Sequence, residues 1–240
     1  MRRIRLHTGP VALFGGLMLL ALHAFLPLRL VLGAVGLGEQ GFSARTVTGS
    51  VWDGRLNEAR FGDLALGSLD ASLSPFALLL GRARVVVDGD PGLIHGAITV
   101  SRHGQGIDDM TATLPTGGAF APLPVNQLSL EGVTVHFVDA VCDKAEGRVR
   151  ARLIGEAAGV PLPTEVSGVA RCDGGALLLP LASQAGTESI ELRITGAGRY
   201  TAALRIAPGD PAAAQRLAAA GFVGGQGGYR LSVEGSFCWP

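Results

Sequence analysis

Three cysteines, Cys142, Cys172 and Cys238, are the first residues of this 240-residue chain that invite a chemical reading. No C-x-x-C occurs and the histidine spacing suits no zinc site, so metal binding is not expected. Cys142 and Cys172 stand in strand-like segments. A bridge between them would close a loop of about 30 residues, for which the chain-entropy model gives about 3–4 kcal/mol. An oxidising compartment would permit that bridge, and it is the expectation here; two buried thiols are the alternative. Cys238 is then the odd one, free or intermolecular. The other candidates fail on context. Gly36-Leu37-Gly38-Glu39-Gln40-Gly41 spells G-x-G-x-x-G, but a dinucleotide turn needs a strand before it and a helix opening within it. An apolar run precedes it and strand-like residues follow, so a flexible linker is expected. Asp108-Asp109 would face opposite ways on a strand, and a solvated turn is expected instead. His95 and His103 flank a strand end with nothing in the sequence to orient either as a base. The glycine run 224–228 opens no helix, so it cradles no phosphate. There is no G-x-x-x-x-G-K-[ST], no G-x-S-x-G and no H-E-x-x-H. The chain reads as a non-enzyme without catalytic residues, metal or cofactor.

The elements that carry these residues follow from composition and pattern. Lys+Arg and Asp+Glu are 20 each, which excludes the basic footprint of most nucleic-acid binders. Hydrophobic residues are 48% and charged ones 17%, with mean hydropathy +0.36, so the chain is no solvated, disordered one. The balance hides an asymmetry. Arg2, Arg3, Arg5 and Arg29 stand in the first 29 residues with no acid among them, so the remainder is mildly acidic. Gly9 to Leu28 carries no formal charge, and about 20 helical residues cross the hydrocarbon of a bilayer. The arginines before it keep the amino terminus in the cytoplasm and send the rest across. A cleaved signal peptide is the rival reading, but the run is long for one and Leu22 sits poorly at the −3 position of a site at Ala24. The expected organisation is a cytoplasmic arm over 1–8, a transmembrane helix over 9–28, a juxtamembrane linker over 29–44, and a β-rich periplasmic domain over 45–240.

That last region alternates apolar and polar residues with period two. Leu69, Ala71 and Leu73, then Val133, Val135 and Phe137, then Val149, Ala151 and Leu153 mark apolar faces. Ile190, Leu192 and Ile194, Ala202, Leu204 and Ile206, and Leu231 and Val233 continue the pattern. Glycines such as Gly96, Gly132, Gly147 and Gly168 begin or interrupt strands, which suits bulges in a curved antiparallel meander. Two helices are expected in this region. Ser74-Pro75 opens one that Gly81 ends, and Asp210-Pro211 opens another that Gly221 ends. The stretch 115–124 is the main internal loop, a hinge within one sheet.

The segment Val47-Thr48-Gly49-Ser50-Val51-Trp52-Asp53-Gly54-Arg55-Leu56 resembles the signature of the type II secretion system protein N family (general secretion pathway protein N). Leu66-Gly67-Ser68-Leu69 and Leu73-Ser74-Pro75-Phe76-Ala77-Leu78-Leu79-Leu80-Gly81-Arg82 follow in the family's order, and Gly198-Arg199-Tyr200 and Gly228-Tyr229-Arg230-Leu231 add support. The resemblance implies a single-pass inner-membrane accessory of the machinery that moves folded proteins out of the periplasm. It also implies contacts with other secretion-system proteins and a curved sheet in the style of AsmA-like membrane proteins. No catalytic residues come with it. Read from the residues alone, Trp52 with Asp53-Gly54 is a tight turn with a core-anchoring aromatic. Gly49, Trp52, Asp53, Gly54, Pro75 and Gly81 are therefore the motif residues expected to shape structure. A lipid- or hydrophobe-binding sheet is the alternative to a scaffold.

Overall fold

The computed structural model describes residues 13–18, 21, 26–30, 42–61, 64–89, 94–117 and 120–236. Strands dominate. The first half holds β1 (Phe42–Ser43), β2 (Thr46–Gly49), β3 (Gly54–Phe61), β4 (Leu64–Leu73), β5 (Arg82–Gly89), β6 (Ile94–Ser101), β7 (Gly104–Pro115), β8 (Val125–Val138) and β9 (Val141–Leu153). The second holds β10 (Glu156–Ala157), β11 (Val160–Pro161), β12 (Glu165–Val169), β13 (Arg171–Asp173), β14 (Ala176–Ala182), β15 (Glu188–Ile194), β16 (Arg199–Ile206), β17 (Val223–Gly225) and β18 (Gly228–Ser236). Sixteen of them form one sheet, which follows the chain from β3 to β9 and continues through β12, β14, β15, β16, β18 and β17. The pairings are antiparallel, and β10 and β11 stand apart as a small hairpin.

Alternation sets the register. Leu73 pairs with Val85, Val85 with Ile98, Ile98 with Ile107 and Ile107 with Val135, so one apolar row crosses five strands. A slip of one residue would turn every member of that row to the opposite face. Register shifts at Gly96 and Gly132 put two of the expected glycines at bulges. Asp108 and Asp109 lie within β7 rather than in a turn. Asp109 takes a positive φ of 47° where the register shifts between Ile107 and Met110. A bulge, not a reversal, accommodates the two acids.

The apolar face packs into two adjoining clusters. Leu56, Leu69, Ala71, Val87, Ile94 and Met110 form the first, with Leu28 and Val51. The second gathers Val149, Val166, Leu181, Leu204 and Ile206 under Phe120, Ala157, Leu217 and Phe222. Ile107 and Leu130 touch both clusters, so the loop after β7 divides neither the sheet nor its core. That loop instead buries Phe120 and Leu123. The helix Pro211–Ala219 starts as its sequence predicts: the Asp210 side chain accepts from the Ala212 amide, and Ala213 and Leu217 are buried. The helix Pro75–Leu79 has the expected Pro at its start and Gly81 at a φ of 71° after its end, yet it buries none of its residues.

Sheet structure reaches further back than residue 45. Phe42 and Ser43, inside the segment read as linker, pair with Phe61 and Arg60. Leu28, at the end of the apolar run, is buried in the first cluster. Among the described residues no helix is long and apolar enough to cross a membrane. Half of the expected span 9–28, the Gly36–Gly41 motif and Cys238 lie outside the described residues.

Candidate functional site

The segment that carried the resemblance is a hairpin turn with a second task. Gly49 pairs with Gly54 across the end of β2 and β3. Inside the turn the Ser50 hydroxyl accepts from the amides of Trp52 and Asp53, both at 3.3 Å, and the Ser50 amide donates to the Asp53 carbonyl at 3.0 Å. Both glycines are required by geometry. Gly49 has a φ of 84°, and a Cβ there would sit 2.3 Å from the Asp53 carbonyl oxygen. A Cβ on Gly54 would sit 2.4 Å from the Leu28 side chain and 2.8 Å from the Ser50 carbonyl oxygen. The turn thus grips the chain end that arrives from the apolar run. Pro27 bridges to Ser50, and the Val51 amide donates to the Leu26 carbonyl at 3.1 Å. Trp52 is half-buried against the first core cluster, and Asp53 is exposed.

A polar cluster sits on the opposite face of β5 to β8. Arg84 pairs with Thr99, Thr99 with Gly106, and Gly106 with His136. The Asp108 carboxylate reaches into this row. It takes an ion pair from Arg84, a hydrogen bond from the Thr99 hydroxyl at 2.9 Å and a bond with His136 Nε2 at 2.6 Å. Burial by itself would raise the Asp108 pKa. The bonds with His136 and Thr99 and the charges of Arg84 and His136 outweigh it and hold the carboxyl below its ordinary value. Gly106 makes the arrangement possible, since a Cβ there would lie 2.5 Å from the His136 ring. With three partners on Asp108, the cluster ties four strands together. Its one hydroxyl, that of Thr99, is bonded to the Asp108 carboxylate.

These residues floor a cavity of about 450 Å³ whose other walls include Phe76, Ala77, Leu80 and Val138. Pro75 is the first residue of the short helix and Gly81 follows its end; neither lines the cavity. The cavity is an open surface recess, apolar on the helix side and charged below.

The expected bridge is present. Cys142 of β9 and Cys172 of β13 form a disulfide with a Cα–Cα separation of 5.6 Å. His95 and His103 each acquire an acid, Asp88 at 3.4 Å and Asp139 at 3.3 Å, but all four side chains are well exposed. The glycine-rich run 224–228 closes the β17–β18 hairpin, with Gly225 opposite Gly228. Among the described residues no group of histidine, cysteine or acid side chains could hold a metal ion. Sequence reasoning missed the Arg84–Asp108–His136 cluster. Its members are 24 and 28 residues apart, and only strand pairing brings them together.

Comparison with known proteins covers most of the chain. Residues 40–232 match the family model for Type II secretion system (T2SS), protein N. A curated relative, the type II secretion system protein N of Vibrio cholerae serotype O1, is 28% identical over 147 residues. That match takes in 56% of this chain and 58% of the relative, so the chain spans little more than half the length of the relative it matches. No solved structure matches.

Proposed function

Because the chain belongs to the type II secretion system protein N family, we propose that it is an inner-membrane-anchored accessory or scaffold component of that secretion system, supporting export of folded periplasmic proteins. The family match over residues 40–232 carries this reading. Three features support the topology it needs. The run from Gly9 to Leu28 is uncharged and follows three arginines. Within it Leu13, Phe14, Leu17 and Met18 are exposed, as lipid-facing residues would be. The Cys142–Cys172 bridge suits an oxidising periplasm. The partners are other secretion-system proteins, reached through the sheet's exposed faces and edges. In-membrane crosslinking from the exported domain tests this directly. Capture of other secretion-system proteins is expected, and their consistent absence from the captured set would overturn it.

A second reading, a hydrophobe-binding module, draws on one observation. Leu66, Val85, Ile98 and Leu114 on the apolar face are only half-buried, whereas the second core cluster is roofed by helix, hairpin and loop. Stoichiometric phospholipid in the purified protein, seen by mass spectrometry, would put this reading first.

A further inference from the structure

The helix Pro75–Leu79 is the least explained element of the fold. It buries none of its residues, and Phe76, Leu79 and Leu80 are 78%, 84% and 70% exposed. Single exposed leucines are ordinary, but neighbouring large apolar side chains on one short element mark a contact surface. Position says which surface. The end of the apolar run is joined to this helix through consecutive backbone links. The Val51 amide donates to Leu26, the Leu73 amide donates to Val51, and Ser74, which follows Leu73, stands at the N-cap position of the helix that begins at Pro75, without a side-chain capping bond. Leu30, next to that junction, is exposed, and so are Val138 and Val141 at the β8–β9 turn on the same end of the sheet. At the opposite end, Ile154 and Val223 stand singly among the described residues. Exposed Arg29, Arg82 and Arg102 lie among the apolar side chains of the first end.

We infer that this end of the sheet is a membrane foot: Phe76, Leu79 and Leu80 insert into the interfacial layer of the bilayer, with the arginines at the phosphate level. The inference rests on the reading of residues 9–28 as an anchor. Apolar side chains beside basic ones are the make-up of interfacial segments. The anchor delivers them there at no further cost in translational freedom, because Leu28 is already packed against the turn that supports the helix. Two attachments, one spanning and one lying flat, fix the strands at a set angle to the membrane instead of leaving the sheet on a swivel.

The test uses the full chain in vesicles of phosphatidylethanolamine and phosphatidylglycerol. With Cys238→Ser as background and the disulfide intact, Leu79→Cys carries a fluorophore at the foot and Val223→Cys carries it at the far end. Both positions are exposed, so folding is not at risk. Lipid-attached nitroxide should quench the label at 79 several-fold more than the label at 223, and iodide in the water should do the reverse. Quenching at 79 by iodide but not by lipid would overturn the proposal. So would shielding from both quenchers, which would indicate a protein contact between copies. Alkaline extraction separates the two readings. A protein that stays in the membrane with its foot in water has lost only this inference, and a protein that is washed off has lost the anchor and the foot together.

Discussion

Gly49 and Gly54 are where single atoms decide the most. A methyl group on either would meet a backbone oxygen at 2.3 Å or 2.8 Å, and neither can move without opening the hairpin. Gly49→Ala should destabilise by about 2 kcal/mol or more, from the left-handed backbone and the clash together. Urea unfolding checks this. Gly54→Ala should displace Leu28 as well as press on the Ser50 carbonyl oxygen, so only the part of its cost that comes from Leu28 should disappear in a Leu28→Ala background. Asp108 sets a pH-dependent term. Its folded pKa is depressed, so the stability it adds is present above about pH 4, the ordinary value for an aspartate, and is lost as pH falls through the lower folded value. Asp108→Asn should therefore cost about 1–3 kcal/mol near neutrality, with the gap to the parent closing in acid. Equilibrium unfolding of both proteins at several pH values would show it, and a gap independent of pH would contradict it.

Among elements, the bridge joins β9 to β13, which continues the row that β12 begins beside β9: β12 pairs with β9, and β12 and β13 both pair with β14. Replacing Cys142 or Cys172 by Ser should lower stability by about 3 kcal/mol, and replacing both should cost little more. Three reactive thiols in the unreduced, denatured protein would refute the bridge. The elements also show how far pattern reading extends. The strands from Leu69, Val133, Val149, Ile190 and Leu204 were legible because one face is buried and the other wet, which alternation records directly. Both short helices were legible from Ser-Pro or Asp-Pro at the start and Gly at the end. What the helix at Pro75 does with its leucines was not legible, because capping grammar specifies a helix without specifying what covers it. The cluster on Asp108 was hidden for another reason: β5, β6, β7 and β8 each contribute one member, and no spacing along the chain encodes that. The pairing of Phe42 and Ser43, inside the segment read as linker, was not legible because two residues are too few for alternation to show.

For the whole molecule, the attachment of Leu28 changes where the folded β-rich domain begins. A fragment that begins at residue 40 lacks Leu26 to Leu28 and exposes the first core cluster. It should be less stable than one that begins at residue 26 by about 2–3 kcal/mol, the usual cost of deleting a buried leucine. Thermal denaturation of the two fragments decides it. A carboxy-terminal reporter should be active in the periplasm and silent in the cytoplasm.

The order of the sheet bears on how such a chain is made. From β3 to β9 each strand lies beside the one synthesised just before it, and only later does the path skip a strand. A chain that emerges amino end first meets its partners in that same sequence. Each new strand can dock on a finished edge without waiting for distant residues, which keeps loop closure short and unpaired edges brief. The Cys142–Cys172 bond can form only after β13 has emerged, so oxidation follows the pairing of β3 to β9 and can clamp β13 beside β9 before its partner β14 arrives.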